Sequence, residues 1–291
     1  MALEDASDES GQPTRIGAGS FATVYVLRGG PVAYKVVARS AEGPTLRHEY
    51  LILERLYKEC GEEQNFSIPR PFAFSDPDPS STEDGSLSQT HLNPSGSVDY
   101  PIVTQALMDI FERATYAMDR VPAIPYDAGR LIASMYFPTG FKNFPPALCR
   151  LYFGKTYRTD GPTPRFINTT NFPLDEYRYN KLVEAYPDRL SLDARDIEFV
   201  LGGTGGSRFT YFVIDFNQVS TWTKGPDVTP LVKAFFDNDP YYPRPNPEDD
   251  LYTSFKSAYY RSCPDSDVGL ANAFIEAIET EHGRSRNLQA S

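Results

Sequence analysis

From Ser75 to Asp99 the chain offers almost nothing that can enter a core: the run from Pro77 to Val98, PDPSSTEDGSLSQTHLNPSGSV, is dominated by Ser, Pro, Asp and Gly. A stretch of that composition buries too little apolar surface to offset the entropy of ordering its own backbone, so it reads as a long solvated insertion. Any fold must therefore be assembled from what lies before and after it. The two ends read as tails for the same reason: residues 1–14 are polar and acidic, and 283–291 are polar with two arginines.

Before the insertion, Ala22 to Leu27 and Val32 to Ala38 are runs rich in β-branched and aromatic residues, separated by Arg28-Gly29-Gly30-Pro31. That pattern predicts a β-hairpin. A helix is expected next, because Tyr50, Leu53, Leu56 and Tyr57 recur at three- and four-residue spacing between charges. After Tyr100 come most of the 25 prolines and most of the 19 Tyr and 19 Phe residues, which implies short helices joined by turns and anchored by aromatic rings. Leu174 to Tyr186, Leu251 to Tyr260 and Val268 to Glu281 read as helices, and Tyr211 to Ile214 as a buried strand. The expected class is α+β in two lobes: an N-terminal lobe over 15–105, with a five-stranded antiparallel sheet, one helix and the insertion at 75–99, then a mainly helical lobe over 106–282. Val103 to Leu107 is the expected crossing between them.

Composition excludes several classes. With 39 acidic against 28 basic side chains and a net charge of -11, the chain is not one that coats nucleic acid through bulk charge. Cys60, Cys149 and Cys263 are widely spaced and accompanied by three histidines, which fits neither a zinc cage nor a disulfide framework. No window approaches eighteen consecutive apolar residues, and the start MALEDASDES lacks a leader pattern, so a cytoplasmic protein without membrane contact is expected.

Residues 16–25, IGAGSFATVY, carry the strongest chemical signal. Gly17 and Gly19 permit positive φ and close approach of backbone N–H groups to phosphate oxygens, and Val24 is placed to cover a base. Lys35 follows in the second strand of the hairpin and Glu49 on the helix. This order resembles the protein-kinase set of glycine-rich loop, strand lysine and helix carboxylate, with Ala22 in place of the third glycine. The resemblance implies that Lys35 holds nucleotide phosphates and that Glu49 orients Lys35; Glu54 is an alternative partner. It also directs attention to Asp193 and Glu198 in LDARDIEFVL and to Asp215 in FVIDFN, which take the places of the base, the metal-binding Asn and the metal-holding Asp. Ser191-Leu192 replaces His-Arg before the base, and Asn217 replaces the last glycine. Mg and ATP are the cofactors such a site implies. Asp193, Asp196, Glu198 and Asp215 together form a carboxylate-rich candidate site whose crowding favours a raised pKa and acid–base work; Asp196 and Glu198 are alternatively solvated charges paired with Arg189 and Arg195.

The runs ARDIEFVLGG, YFVIDFNQ, AFFDNDPYYPRP and LYTSF resemble a fungal family of kinase-like proteins that includes the arginine-containing cyclodipeptide synthases. That resemblance implies a reaction of specialised metabolism in which arginyl-tRNA and a second aminoacyl-tRNA yield a cyclic dipeptide. Its acidic DDxxE motif falls nearest Asp249-Asp250, without the final Glu, and the same two residues are equally suited to capping a helix from Leu251. Residues 111–165 hold eight Lys or Arg and four acidic residues, a local net of +4 that leaves -15 elsewhere. This is either a basic face for an acceptor stem or ordinary solvated surface. Three functions follow as expectations: the tRNA-dependent synthase, a phosphotransferase using Mg-ATP, and an inactive pseudokinase interaction module.

Overall fold

The structure, a computed structural model, describes residues 12–27, 30–59, 66–77, 88–89, 103, 105–157, 167–185, 199–205, 208–216, 219, 222–237 and 241–289. These residues form an α+β protein that packs as two units. The first comprises the described residues up to Ala123 together with those between Phe212 and Val219; the second comprises the described residues of 124–211 and those beyond 220.

In the first unit β1 (Pro13–Ala18), β2 (Ala22–Leu27) and β3 (Val32–Val37) form a meander. A 17-residue helix, α1 (Gly43–Glu59), follows, and then β4 (Pro71–Ser75), the two-residue β5 (Ser88–Gln89), a short helix α2 (Gln105–Asp109) and β6 (Thr115–Asp119). The sheet order is β1-β2-β3-β6-β4-β5, so β3 is interior, and all six of its residues are buried. The hairpin and α1 stand where the sequence places them. Three details differ. Pro13 and Thr14 belong to β1 instead of the tail, because their backbone pairs with Leu27 and Val26. The sheet has a sixth strand, β5, within the expected insertion. Residues 105–109 form a helix and the chain then returns as β6 between β3 and β4, so the expected crossing at 103–107 lies inside the first unit. Val103 and Met108 are accordingly buried against Tyr34, Phe72 and Ala117.

The second unit is less helical than expected. It holds a four-stranded sheet of order β10-β9-β7-β8, built from β7 (Leu148–Tyr152), β8 (Asn171–Asp175), β9 (Phe199–Gly203) and β10 (Phe209–Val213), the last running into the first unit at Phe212. Its strands hide in aromatic- and proline-rich sequence. Pro173 sits in β8, an edge strand, where a missing N–H costs no ladder bond. The helix expected from Leu174 starts two residues later as α4 (Glu176–Ala185), because Asp175 closes the strand and its buried carboxylate accepts from Arg178 N (3.0 Å) and Tyr157 N (2.6 Å). The unit also contains α3 (Tyr126–Tyr136), α5 (Thr229–Asp237), α6 (Asp250–Ser262) and α7 (Val268–Gln289). The last of these continues through residues 283–289, which were expected as tail. Phe235, Tyr252, Phe255, Phe274, Ile275 and Ile278 form the core joining α5, α6 and α7. Among the described residues no helix is long and apolar enough to cross a membrane.

Candidate functional site

Strand register builds the site. Gly17 is paired with Val24, Val24 with Lys35, Lys35 with Tyr116 and Tyr116 with Phe74, so these five side-chain positions form one row across the sheet. Lys35 therefore projects from the interior of a buried strand, where an ammonium group needs anionic partners. It has two. Lys35 Nζ lies 2.6 Å from Glu49 Oε1 and 2.9 Å from Asp215 Oδ1. Burial alone would lower the Lys35 pKa, but the two carboxylate charges and hydrogen bonds raise it, so the amine stays protonated.

Glu49 is completely buried on α1. Its Oε1 also accepts from Tyr116 Oη at 3.0 Å, while Oε2 has no hydrogen-bond partner among the described residues. Burial raises its pKa against the opposing pull of Lys35. Glu54, the alternative partner, instead accepts from Lys58 one turn along α1 (3.0 Å).

Asp215 is the accessible member of the triad, with its side chain 39% exposed. It adopts φ of 74°, a left-handed conformation that Asp tolerates better than most residues. The segment carrying it is tied to the first unit on both sides: Val213 N donates to Ser67 O (3.1 Å), and His48 Nε2 on α1 lies 3.1 Å from Val219 O. These anchors set Asp215 within reach of Lys35. Gly19 N donates to Ala22 O at 2.9 Å and closes the β1–β2 turn, and the Phe21 ring lies 5.8 Å from Lys35 Nζ.

The glycines work differently from expectation. Neither Gly17 nor Gly19 has positive φ, since the only described glycine that does is Gly205. A Cβ at either would meet neighbours only at ordinary contact distance, 3.8 Å. Gly17 ends the row and adds no side chain beside Val24.

Of the other expected site residues, Asp193, Asp196 and Glu198 lie outside the described residues. Asp249 is the N-cap of α6: its Oδ1 accepts from Leu251 N (2.8 Å) and Tyr252 N (3.0 Å), and Asp250 opens the helix. The capping use thus accounts for the Asp249 carboxylate. Tyr241 and Tyr242 are engaged in packing: Tyr241 meets the Tyr152 ring edge-on and Tyr242 stacks on Phe235. The basic stretch is divided, with Arg113 and Arg120 in the first unit and Arg130, Lys142, Arg150 and Lys155 in the second; Arg158 and Arg165 lie outside the described residues. Tyr116 was missed by sequence reasoning. Thr115–Asp119 shows no alternation that would fix a face, and nothing local reveals that Lys35 stands opposite.

A family model, DUF3669, described as a zinc finger protein, matches residues 211–265. No curated protein matches the chain. The family match corrects the resemblance drawn from the sequence: the family found across Asp215 and Asp249 is the one described as a zinc finger protein, and nothing in the comparisons points to a kinase-like or cyclodipeptide synthase family. The zinc description itself does not fit the residues present. Between 211 and 265 the chain has one cysteine, Cys263, and no histidine, and no group of three or more His, Cys, Asp or Glu able to hold a metal occurs among the described residues.

Proposed function

We propose that the chain is a phosphotransferase that uses Mg-ATP at the Lys35–Glu49–Asp215 centre, on a protein-kinase-like two-lobed fold. The observation that carries this reading is the double grip on Lys35: a fully buried carboxylate at 2.6 Å fixes the amine, and a partly exposed one at 2.9 Å shares it. Phosphoryl transfer needs little covalent chemistry from the protein and much positioned charge, and this arrangement supplies it. Lys35 would exchange Asp215 for phosphate oxygens, freeing Asp215 for the cation, while Glu49 keeps the amine in place. The order of hairpin, Lys35 strand, α1 and further antiparallel strands, with Gly17 and Gly19 where β1 turns into β2, supports the same reading.

A second reading, condensation of arginyl-tRNA with another aminoacyl-tRNA to a cyclic dipeptide, is favoured by one specific observation. Two carboxylates share one lysine, which leaves the centre net negative with Asp215 as its accessible member, and that suits a guanidinium or ammonium guest. There two ester aminolyses follow in turn, intermolecular and then ring-closing; in each the attacking α-amine gives its proton to a carboxylate, which passes it to the tRNA oxygen that leaves as the ester C–O bond breaks.

One preparation of the full chain separates the two. Saturable Mg-ATP binding and transfer of γ-phosphate to an acceptor, the binding weakened and the transfer lost in Lys35→Met, support the first. An arginine-containing diketopiperazine formed from charged tRNAs without ATP binding supports the second. Mg-ATP binding without turnover on any acceptor leaves the inactive interaction module.

A further inference from the structure

We propose that Tyr116 is the positioning residue of the lysine–carboxylate centre, holding Glu49 so that its Oε1 is the oxygen presented to Lys35. Register places the residue there. Lys35 and Tyr116 are directly paired across β3 and β6, so their side chains rise on the same face, and Glu49 on α1 is reached by both. Lys35 Nζ and Tyr116 Oη converge on one carboxylate oxygen, at 2.6 and 3.0 Å. Oε2 takes no hydrogen bond among the described residues, so among them only Tyr116 and Lys35 fix the rotation of the carboxylate.

The ring is itself immobilised. Tyr116 is 2% exposed and packs against Tyr50 of α1 with ring centroids 5.9 Å apart. Burial and the neighbouring Glu49 charge push its phenol well above its ordinary pKa, so it is a hydrogen-bond donor at any working pH. The groups facing Glu49 are Lys35 from β3, Tyr116 from β6 and, beyond Lys35, Asp215. Tyr116 has a second consequence. When Lys35 turns to a ligand, the phenol keeps Glu49 from following it, and the buried carboxylate retains one donor.

This inference rests on the reading of Lys35 as the ligand-facing group, and its test has an arm that does not. Tyr116→Phe, Glu49→Met and the double variant of the full chain are compared by chemical unfolding without ligand. A hydrogen bond to a charged acceptor predicts that Tyr116→Phe lowers the folding constant about tenfold or more with Glu49 present, and less than about twofold in the Glu49→Met background. Equal losses in the two backgrounds mean that the phenol only packs, and overturn the proposal. Failure of Tyr116→Phe to fold with Glu49 present, alongside a double variant that folds, supports it, whereas failure in both backgrounds overturns it. In the second arm, Mg-ATP titrated into the same variants is expected to bind several-fold more weakly to Tyr116→Phe, with no further loss when that change is added to Glu49→Met. Should the unaltered chain bind no Mg-ATP, the nucleotide reading of the centre fails while the unfolding cycle still decides the role of Tyr116.

Discussion

At the scale of single residues the controlling fact is that Glu49 is wholly buried and depends on an ammonium group for its charge. Removing one partner of such a pair costs more than the pair itself contributes, because the other is left uncompensated. Lys35→Met is therefore expected to lower stability at neutral pH by about 3–5 kcal/mol. Its pH dependence has a definite sign. Glu49 already titrates above its ordinary value of 4.5 when folded, and loss of Lys35 removes the interaction opposing that rise. Between 4.5 and the raised value the folded form binds more protons than the unfolded one, so the stability of Lys35→Met falls as pH rises across that window. Lys35 itself titrates above 10.5 when folded. Its contribution in the unaltered protein is fully present below 10.5 and is lost as pH climbs through the raised value. Denaturation curves of both proteins from acid to alkaline pH check both limbs. A stability for Lys35→Met that increased from about pH 5 to about pH 7 would contradict this assignment.

At the scale of elements, the helices around the second core make two further predictions. Asp249 satisfies two first-turn N–H groups of α6, so Asp249→Ala is expected to cost about 1 kcal/mol of stability while Asp249→Ser retains most of it. Thermal melts of the pair separate capping from chemistry, since a catalytic carboxylate is not replaced by a hydroxyl. Gly129 lies inside α3, where Ala normally stabilises a helix, yet a Cβ there would sit 2.9 Å from Pro145 Cβ and 3.3 Å from Pro146 O. Gly129→Ala is thus expected to destabilise by about 1–3 kcal/mol, the cost of overpacking, against its helix propensity. Elements with a strong period were legible in the sequence: the β2–β3 hairpin, α1, α6 and the first part of α7 all stand where apolar spacing put them. The strands β7 and β8 were not. Leu148–Tyr152 and Asn171–Asp175 are five residues each, one contains a proline, and the parallel partnership between them is invisible to local pattern. Leu174 was drawn into the helix that follows because its apolar side chain fits the helical period as well as the strand.

At the scale of the whole molecule, the candidate centre unites residues 14 and 180 positions apart in sequence, Lys35 with Glu49 and Lys35 with Asp215. Glu49 as the partner of Lys35 came from likeness to the kinase set, with Glu54 left as an alternative that spacing could not settle. Likeness to a motif gave Asp215 only as a metal-holding residue; its contact with Lys35 was not foreseen and follows from the anchoring of the segment that carries it to Ser67 and His48. Tyr116 stayed hidden because its role depends on β6 inserting between β3 and β4, a topological fact with no local trace. The net charge of -11 argues against indiscriminate nucleic-acid binding, and on the proposed reading the buried ammonium flanked by two carboxylates is the site that takes the ligand. The most direct test of that centre is calorimetric titration of Mg-ATP into the unaltered chain and into Lys35→Met. Saturable, magnesium-dependent binding to the first and roughly tenfold or more weaker binding to the second are expected, as for loss of a charged contact to phosphate. Equal affinity in the two, or no heat from the unaltered chain, would contradict the assignment.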